Sequence, residues 1–479
     1  MGQPVPDTPH AVSVCLPTWA QVIGYEECDP AVLGRMQTGY PRFFVNRIVR
    51  ELNAQAAGKF ADGDEAAVIF PSVAAAQRCA EFLGGQARVE VWEEKALGLV
   101  LAANALEKRA LEYVRYTGEL VSSYRAASLL DGRGDDPLTG GDAKAILCGR
   151  VADHAGMAAR DVYLFPNGMA AVFSLHRALR LMFPERKTVQ YDFPYVDVLR
   201  VQREFGRGAH FHPLASASSL AALRDLVGGE ALGGVFCEMP SNPLLRCADI
   251  RAVAEILAGS DTPLIVDDTV ASSVNISLGD HADAITTSLT KSFSGVGDVM
   301  GGSVVLNAGS PRYAALKAAM DAVFEADLLW WEDAQVLERN SRDYARRVRQ
   351  MGETAETLAE HLRTHPRVAD VFYPKWETPD AYAEVRRDGG GFGALLSIVL
   401  KDPERTSEKF FDALRVTKGP SLGTNYTLAC PYTLLAHYPE LDWAESCGVS
   451  RWLVRVSVGL EQAADLIDRF DQALAAAQA

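Results

Sequence analysis

The chain predicts an α/β fold with a mainly parallel central sheet, a smaller C-terminal α/β domain and an N-terminal arm. Three observations carry that expectation. Residues from about 160 to 310 alternate short apolar strand patterns with helical ones, as at Gly234 to Glu238, Pro263 to Asp267 and Ala284 to Thr287. An apolar run ending in Phe-Pro, a small-residue turn and a helical stretch occur in succession at Ala67 to Leu83 and again at Val162 to Leu181. With 479 residues, 48% of them hydrophobic, the chain can bury a sizeable core and exceeds one domain of about 150 residues.

Residues 1–57 read as an arm. Ala11 to Leu16 is a short apolar strand pattern, Asp29-Pro30 opens a helix-like stretch, and Gly39-Tyr40-Pro41-Arg42 breaks it. Helical periodicity resumes over Phe43 to Ala57, with Phe44, Ile48 and Leu52 on one face. Residues 58–158 read as a helix-rich insertion, in which Glu93 to Tyr124, rich in Ala, Leu and Glu, reads as one long helix. Asp131 to Pro137 reads as a loop. Residues 159–312 form the expected α/β domain, whose ligands should sit at the C-terminal ends of its strands. In 313–479, a long charged helix over Ala315 to Met351 leads to strands at Gly393 to Leu400 and Trp452 to Gly459 and a closing helix, Glu461 to Ala477.

The formal net charge of −15 argues against nucleic acid or an anionic membrane as the main partner. Cys15, Cys28, Cys79, Cys148, Cys237, Cys247, Cys430 and Cys447 form no CxxC pair, which suits free thiols in a cytoplasmic protein. The pair His210 and His212 lacks an accompanying set of ligands, so no metal site is expected. No stretch approaches the roughly 20 apolar residues of a membrane span, and the N-terminus lacks the pattern of a secretory signal.

Lys291 stands alone in a run of small and hydroxyl residues, Ser288-Leu289-Thr290-Lys291-Ser292-Phe293-Ser294-Gly295. Upstream, the apolar run Leu264-Ile265-Val266 ends in Asp267-Asp268-Thr269. A lysine able to form an imine, hydroxyls able to hold a phosphate and a carboxylate at a strand end are what pyridoxal phosphate needs. Gly295-x-Gly297 lacks the full dinucleotide fingerprint.

The Lys291 segment, continued through Asp298-Val299-Met300-Gly301-Gly302, resembles that of the pyridoxal-phosphate enzymes of cysteine and methionine metabolism. Asn167-Gly168-Met169, Asp192 to Tyr195, Pro240 to Leu244, Val266 to Thr269, Ser421-Leu422-Gly423 and Leu453 to Gly459 follow in the same order as in that family. The opening segments Ala11 to Trp19, Gly24 to Glu27 and Gly39 to Phe44 are similar to its fungal-type cystathionine γ-synthase branch. The resemblance implies a fold-type I pyridoxal-phosphate transferase, a homo-oligomer of at least two and usually four chains, and small-molecule amino-acid substrates.

The resemblance also implies roles. Lys291 holds the cofactor aldehyde and moves protons, Asp267 pairs with the pyridine nitrogen, and Tyr195 stacks on the ring; these are the catalytic candidates. Asp268, where relatives usually carry asparagine, is the rival to Asp267, and either acid could instead cap a helix. Gly168 and Met169 present backbone N–H groups to the phosphate, joined by Ser288 and Thr290, and Asn242 donates to the phenolic oxygen. Tyr40 and Arg42 match an arm that reaches the phosphate of a neighbouring subunit. Arg455, in an apolar strand, and Ser421 bind the substrate carboxylate.

Several positions depart from the pattern. The asparagine after Arg42 comes one place late, at Asn46, without the usual Asn-Pro-Thr. Thr424-Asn425-Tyr426-Thr427 replaces a common Gly-x-Glu-Ser, and Ser292 replaces an aromatic. The expected reaction is cystathionine γ-synthesis, γ-replacement on an O-acyl-L-homoserine by L-cysteine. Cystathionine or methionine γ-lyase, β-lyase, O-acylhomoserine sulfhydrylase and γ-substitution with another nucleophile are the siblings; a non-catalytic binding subunit is the alternative of another class. Tyr116 to Glu119 is a further segment that could approach the site.

Overall fold

The computed structural model describes residues 1–133 and 137–477. Its central seven-stranded sheet runs Val162–Phe165, Gly302–Leu306, Ala284–Thr287, Leu264–Asp267, Gly234–Glu238, Thr188–Tyr191 and Ala209–His212 from edge to edge. The pairings from Ala284–Thr287 to Ala209–His212 are all parallel, with Val266 opposite Cys237 on one side and Ile285 on the other. Gly302–Leu306 runs antiparallel to both of its neighbours. Leu264, Ile265 and Val266 are all buried, which is why this strand reads as an unbroken apolar run. Asn167, Asp192, Asp267 and Ser288 lie at or just past strand C-termini, the edge where a parallel sheet receives its ligand.

A second sheet, in the order Val368–Phe372, Leu395–Leu400, Val454–Ser457, Leu428–Pro431 and Thr417–Lys418, is antiparallel except at its last pair. The helices Tyr344–Thr364, Pro403–Ala413 and Ala463–Ala476 supply Leu358, Phe410 and Phe470 to its core. The arm begins as a two-stranded ribbon of Pro4–Val5 and Ser13–Val14. Its backbone then docks on the rest of the chain, where Val12 N–H donates to Gly297 at 2.9 Å and Leu16 N–H to Lys418 at 3.0 Å.

Two helical expectations are overturned. Glu93 to Tyr124 is not one helix: Leu97–Ala103 is the central strand of a three-stranded antiparallel sheet, between Glu65–Phe70 and Ala87–Trp92, and the helix begins only at Asn104. Leu97 to Ala102 is buried on both faces, so the run carries neither a strand period nor a helix period. The linking helix over 315–351 is divided into Tyr313–Val323, Trp331–Asn340 and the first part of Tyr344–Thr364. The breaks fall where Phe324 and Trp330 are extended, and where Ser341 closes the middle helix through its N–H to the Leu337 carbonyl. Of the loop expected over 131–137, residues 134–136 lie outside the described residues. No helix of the described residues is long and apolar enough to cross a membrane.

Gly98 makes the inserted sheet possible, because a Cβ there would lie 2.5 Å from the Ser72 carbonyl oxygen and 2.8 Å from the Ala76 methyl. Gly98→Val should therefore cost on the order of 2–3 kcal/mol by overpacking. A denaturation midpoint equal to that of the parent chain would contradict this packing.

Candidate active site

Lys291 sits in a tight turn after Ala284–Thr287. The Thr290 hydroxyl and the Gly301 backbone bond each other in both directions, and Gly295 N–H donates to the Lys291 carbonyl at 2.8 Å. Gly423 closes against this turn with φ +73°, and a Cβ there would come within 2.4 Å of the Ser292 nitrogen. Beneath the turn lies a buried guanidinium that sequence reasoning missed. Arg347 donates to the carbonyls of Ser292, Phe293, Ser294 and Asn340 at 2.9–3.2 Å, to Asn425 Oδ1 at 3.0 Å, and to Asp343 at 2.7 Å. Its guanidinium presents several donors in a fixed plane, which suits a cluster of carbonyl acceptors. Asn425, one of the residues that departs from the family pattern, is thus part of the support of the Lys291 turn.

The Lys291 amine donates to Ser421 Oγ at 3.1 Å and lies 4.5 Å from the centre of the Tyr40 ring. It forms no ion pair among the described residues. Burial lowers its pKa, opposed by Tyr40 and reinforced by the Arg455 charge. Burial alone would raise the Tyr40 phenol, but the Lys291 and Arg42 cations outweigh it and bring it below its ordinary value. Ser421 holds φ at +101°, outside the usual range for a residue with a side chain, and its carbonyl accepts from Arg455 Nη2 at 2.8 Å. The backbone of Ser421 therefore meets one cation and its hydroxyl the other.

Arg455 is buried and its partners are neutral: the Ser421 carbonyl, Asn242 Oδ1 at 3.1 Å, and the Tyr432 ring 4.6 Å away. Asn242 also donates to the Tyr432 hydroxyl at 3.2 Å. Tyr432 gave no sequence signal; it enters the site because Leu428–Pro431 ends beside Val454–Ser457. A buried guanidinium without a carboxylate is a receptor for one.

The two acids at the end of Leu264–Asp267 separate clearly. Asp268 is fully buried and takes hydroxyls from Ser273 and Thr287, and burial raises its pKa to about 6. Asp267 remains partly exposed, accepts from the Thr269 N–H at 2.9 Å and the Thr286 hydroxyl at 3.0 Å, and has no cationic partner among the described residues. Burial raises its pKa too. Glu238, also missed from the sequence, ends the adjacent strand; burial and then Asp267 push its pKa well up, and it accepts the Tyr195 N–H.

At the other side of the sheet edge, Asn167 caps the helix Gly168–Met182 by accepting from Ala170 N–H at 3.0 Å, and donates to the Gly118 carbonyl at 2.7 Å. Gly118 thus brings the Tyr116 to Glu119 segment against this turn. A Cβ on Gly168 would lie 2.8 Å from Ser288 Cβ, so the glycine leaves a cradle between the helix N-terminus and Ser288. The Ser288 hydroxyl makes no protein hydrogen bond among the described residues, whereas that of Thr290 is engaged with Gly301. Tyr195 precedes the helix Val196–Glu204 and remains partly exposed. Its hydroxyl accepts from Arg42 Nη2 at 2.5 Å, and Arg42 Nη1 pairs with buried Asp197 at 2.7 Å. Tyr40 and Arg42, expected to reach the phosphate of a neighbouring subunit, lie in this chain beside Lys291 and Tyr195.

The donor set fits pyridoxal phosphate. Among the described residues, a buried amine has no carboxylate, a carboxylate at a strand end has no cation, and a hydroxyl without a hydrogen-bond partner faces a glycine cradle at a helix N-terminus. Lys291, Asp267, Tyr195, Gly168, Met169 and Ser288 could hold that cofactor.

Cleft and fold together define a pyridoxal-phosphate-dependent enzyme. The sequence profile of the Cys/Met metabolism PLP-dependent enzymes matches residues 156–475, and the chain belongs to that family. Within it the chain is of the cystathionine γ-synthase/lyase type. It is 34% identical to a cystathionine γ-synthase of Neurospora crassa, over 100% of this chain and 98% of that one. It is 31% identical to an L-2-amino-4-chloropent-4-enoate dechlorinase/desaturase of Streptantibioticus cattleyicolor, over 96% of this chain and 95% of the other. The crystal structure of cystathionine γ-synthase from Xanthomonas oryzae pv. oryzae in complex with cystathionine superposes with a TM-score of 0.62 at 26% identity, covering 72% of this chain and 89% of that chain. The family and fold read from the sequence are thereby confirmed.

Two predictions follow from this geometry. Arg347→Met leaves the carbonyls of the Lys291 turn without donors and should destabilise the protein by about 3 kcal/mol or more. Arg347→Lys should recover only part of that loss in a denaturation series, because an ammonium cannot reproduce the planar fork; full recovery would refute the clamp. The second concerns Asp268, whose folded pKa of about 6 lies above its ordinary 3.8. The fold favours the neutral carboxyl, so this group's stabilising contribution is complete below pH 3.8 and is lost as the pH rises through about 6. Asp268→Asn should raise stability relative to the parent by up to about 2–3 kcal/mol more near pH 8 than near pH 4. An equal effect at both pH values would exclude this titration.

Proposed function

We propose that the protein is a cystathionine γ-synthase. It would replace the γ-acyloxy group of an O-acyl-L-homoserine with the sulfur of L-cysteine, giving L-cystathionine and the free carboxylic acid. The observation that carries this reading is the placement of the Lys291 amine 3.1 Å from Ser421 Oγ, whose backbone also holds Arg455. One residue thereby sets the distance between a carboxylate receptor and a base, the spacing that an α-amino acid requires.

Bound pyridoxal phosphate would supply an electron sink for the pair released when the Cα proton leaves. The residues of the chain do the rest. The Gly168 and Met169 N–H groups and the Ser288 hydroxyl would hold its phosphate, while Thr290 braces the turn through Gly301. Asp267 would pair with the pyridine nitrogen, and Asn242 and Tyr195 would hold the ring. Arg455 and Ser421 fix the substrate carboxylate, which points the Cα–H bond towards Lys291.

Lys291 would take the Cα proton and then serve Cβ, an assignment that needs a neutral amine, which its lowered pKa favours. Tyr40, beside the same amine and also titrating low, is placed to take up or return a proton. At Cγ the C–O bond breaks with its electron pair leaving on the acyl oxygen, and the cysteine thiolate then forms the C–S bond. Protons return to Cβ and Cα from the groups that removed them.

The test is product analysis by mass spectrometry, with O-acetyl- and O-succinyl-L-homoserine each supplied with and without L-cysteine. Cystathionine appearing only with cysteine is the expected outcome, and Lys291→Ala should abolish it. Release of 2-oxobutyrate alone, whether or not cysteine is present, would move the assignment to a γ-lyase.

A further inference from the structure

We propose that the Tyr432 hydroxyl is a further donor to the substrate carboxylate, acting beside Arg455, and that it sets part of the affinity for amino-acid substrates. This rests on Arg455 as the carboxylate receptor and adds a residue to that receptor.

The fold explains why a tyrosine stands there. Leu428–Pro431 runs antiparallel to Val454–Ser457, with Cys430 opposite Arg455. Side chains alternate along a strand, so a residue two places after Cys430 leans to the same face as Arg455. Tyr432 is that residue, one place past the strand end, where it opens the helix Tyr432–His437. Its ring is held in a small buried cluster with Phe193, Leu244, Cys430 and Leu453. The ring centre lies 4.6 Å from the Arg455 guanidinium, close enough for the cation to rest on the aromatic face.

The hydrogen bonds around it do not balance. A phenol can both accept and donate. Tyr432 Oη accepts from Asn242 Nδ2 at 3.2 Å, and Asn242 Oδ1 accepts from Arg455 Nη1 at 3.1 Å. The Tyr432 hydrogen has no acceptor among the described residues, although the residue is buried. Burial raises the pKa of the phenol, against the opposing Arg455 charge, so the group keeps that hydrogen. A buried donor without an acceptor is costly. Here a phenol and a guanidinium in contact both have donors to give, and the two oxygens of one carboxylate answer both. Ser421, whose carbonyl meets Arg455 and whose hydroxyl lies 3.1 Å from the Lys291 amine, ties this corner to the base. The competing acceptor is the phenolic oxygen of the cofactor, which Asn242 is expected to meet; the two acceptors leave different signatures.

Tyr432→Phe removes the hydrogen and keeps the ring over Arg455. Two titrations compare it with the parent chain. In one, pyridoxal phosphate is added to the apoprotein and its binding is followed by visible absorbance. In the other, L-norleucine, an amino acid with a carboxylate and no leaving group, is added to the holoenzyme and followed in the same way. The expected result is L-norleucine bound about ten- to a hundredfold more weakly, with pyridoxal phosphate affinity held within about twofold. Unchanged L-norleucine binding would overturn the proposal. So would an equal loss of pyridoxal phosphate affinity, which would place the hydrogen on the cofactor. A second variant does not depend on the first: 3-fluorotyrosine at position 432 is a stronger donor of nearly the same size and should tighten L-norleucine binding, whereas no tightening opposes the proposal. Arg455→Gln separates the two levels of the argument. A parent chain that ignores L-norleucine, or an Arg455→Gln chain that binds it as well as the parent does, would remove the carboxylate receptor itself, and the role of Tyr432 with it.

Discussion

Two basic side chains, the Lys291 amine and the Arg455 guanidinium, lie in one cleft without a carboxylate partner among the described residues, and the remaining groups are arranged around that imbalance. The acids nearby are committed elsewhere. Asp197 is bound to Arg42, Asp268 is enclosed by hydroxyls, and Glu238 accepts the Tyr195 amide. A single misplaced carboxylate would neutralise Arg455 or hold Lys291 protonated, and either change would remove the property that makes the cleft useful. Such charges are tolerated because carbonyls, hydroxyls and aromatic faces solvate them, and because an amino-acid substrate brings the missing anion.

Unpaired charges need rigid support, since any relaxation towards an acid would lower their energy. The support comes from backbone geometry. Gly423 can approach the Lys291 turn only because it lacks a side chain, Ser421 accepts a strained φ to present its carbonyl and its hydroxyl in different directions, and Arg347 ties three consecutive carbonyls beneath the turn. These are positioning interactions; none of them touches the reacting atoms. They hold the amine at a fixed distance from the carboxylate receptor.

The sequence revealed those parts of the site that depend on local pattern. A lysine bracketed by hydroxyl residues, an acid closing an apolar strand and a glycine at a strand-to-helix turn have short-range signatures, and the central sheet around them follows from its alternating elements. Arg347 and Tyr432 had no such signature. Arg347 lies in a charged helix that looks solvated when read alone, and its burial depends on a turn more than 50 residues away. The inserted sheet was misread for a related reason: Leu97 to Ala102 is covered on both faces, and a run buried on all sides has no periodicity to display. The arm motif was legible, but the cleft it enters is a matter of tertiary connection that residue spacing does not encode.

The insertion gives physical meaning to that connection. Its helix from Asn104 meets the site twice, the Arg115 carbonyl accepting from Arg42 of the arm and Gly118 bonding Asn167, while Ile69, Leu99 and Leu101 join Leu52 of the arm in a core apart from the central sheet. A small core that touches two edges of the site acts as a bracket, holding Arg42 and Asn167 through the backbone carbonyls of Arg115 and Gly118. The departures from the family pattern fall into the same scheme. Asn46 caps the helix that enters the bracket, and Asn425 joins Arg347 beneath the Lys291 turn. Both residues stand where the chain departs from the family's sequence pattern, and both hold backbone around the site, Asn46 through the Ile48 N–H and Asn425 through Arg347.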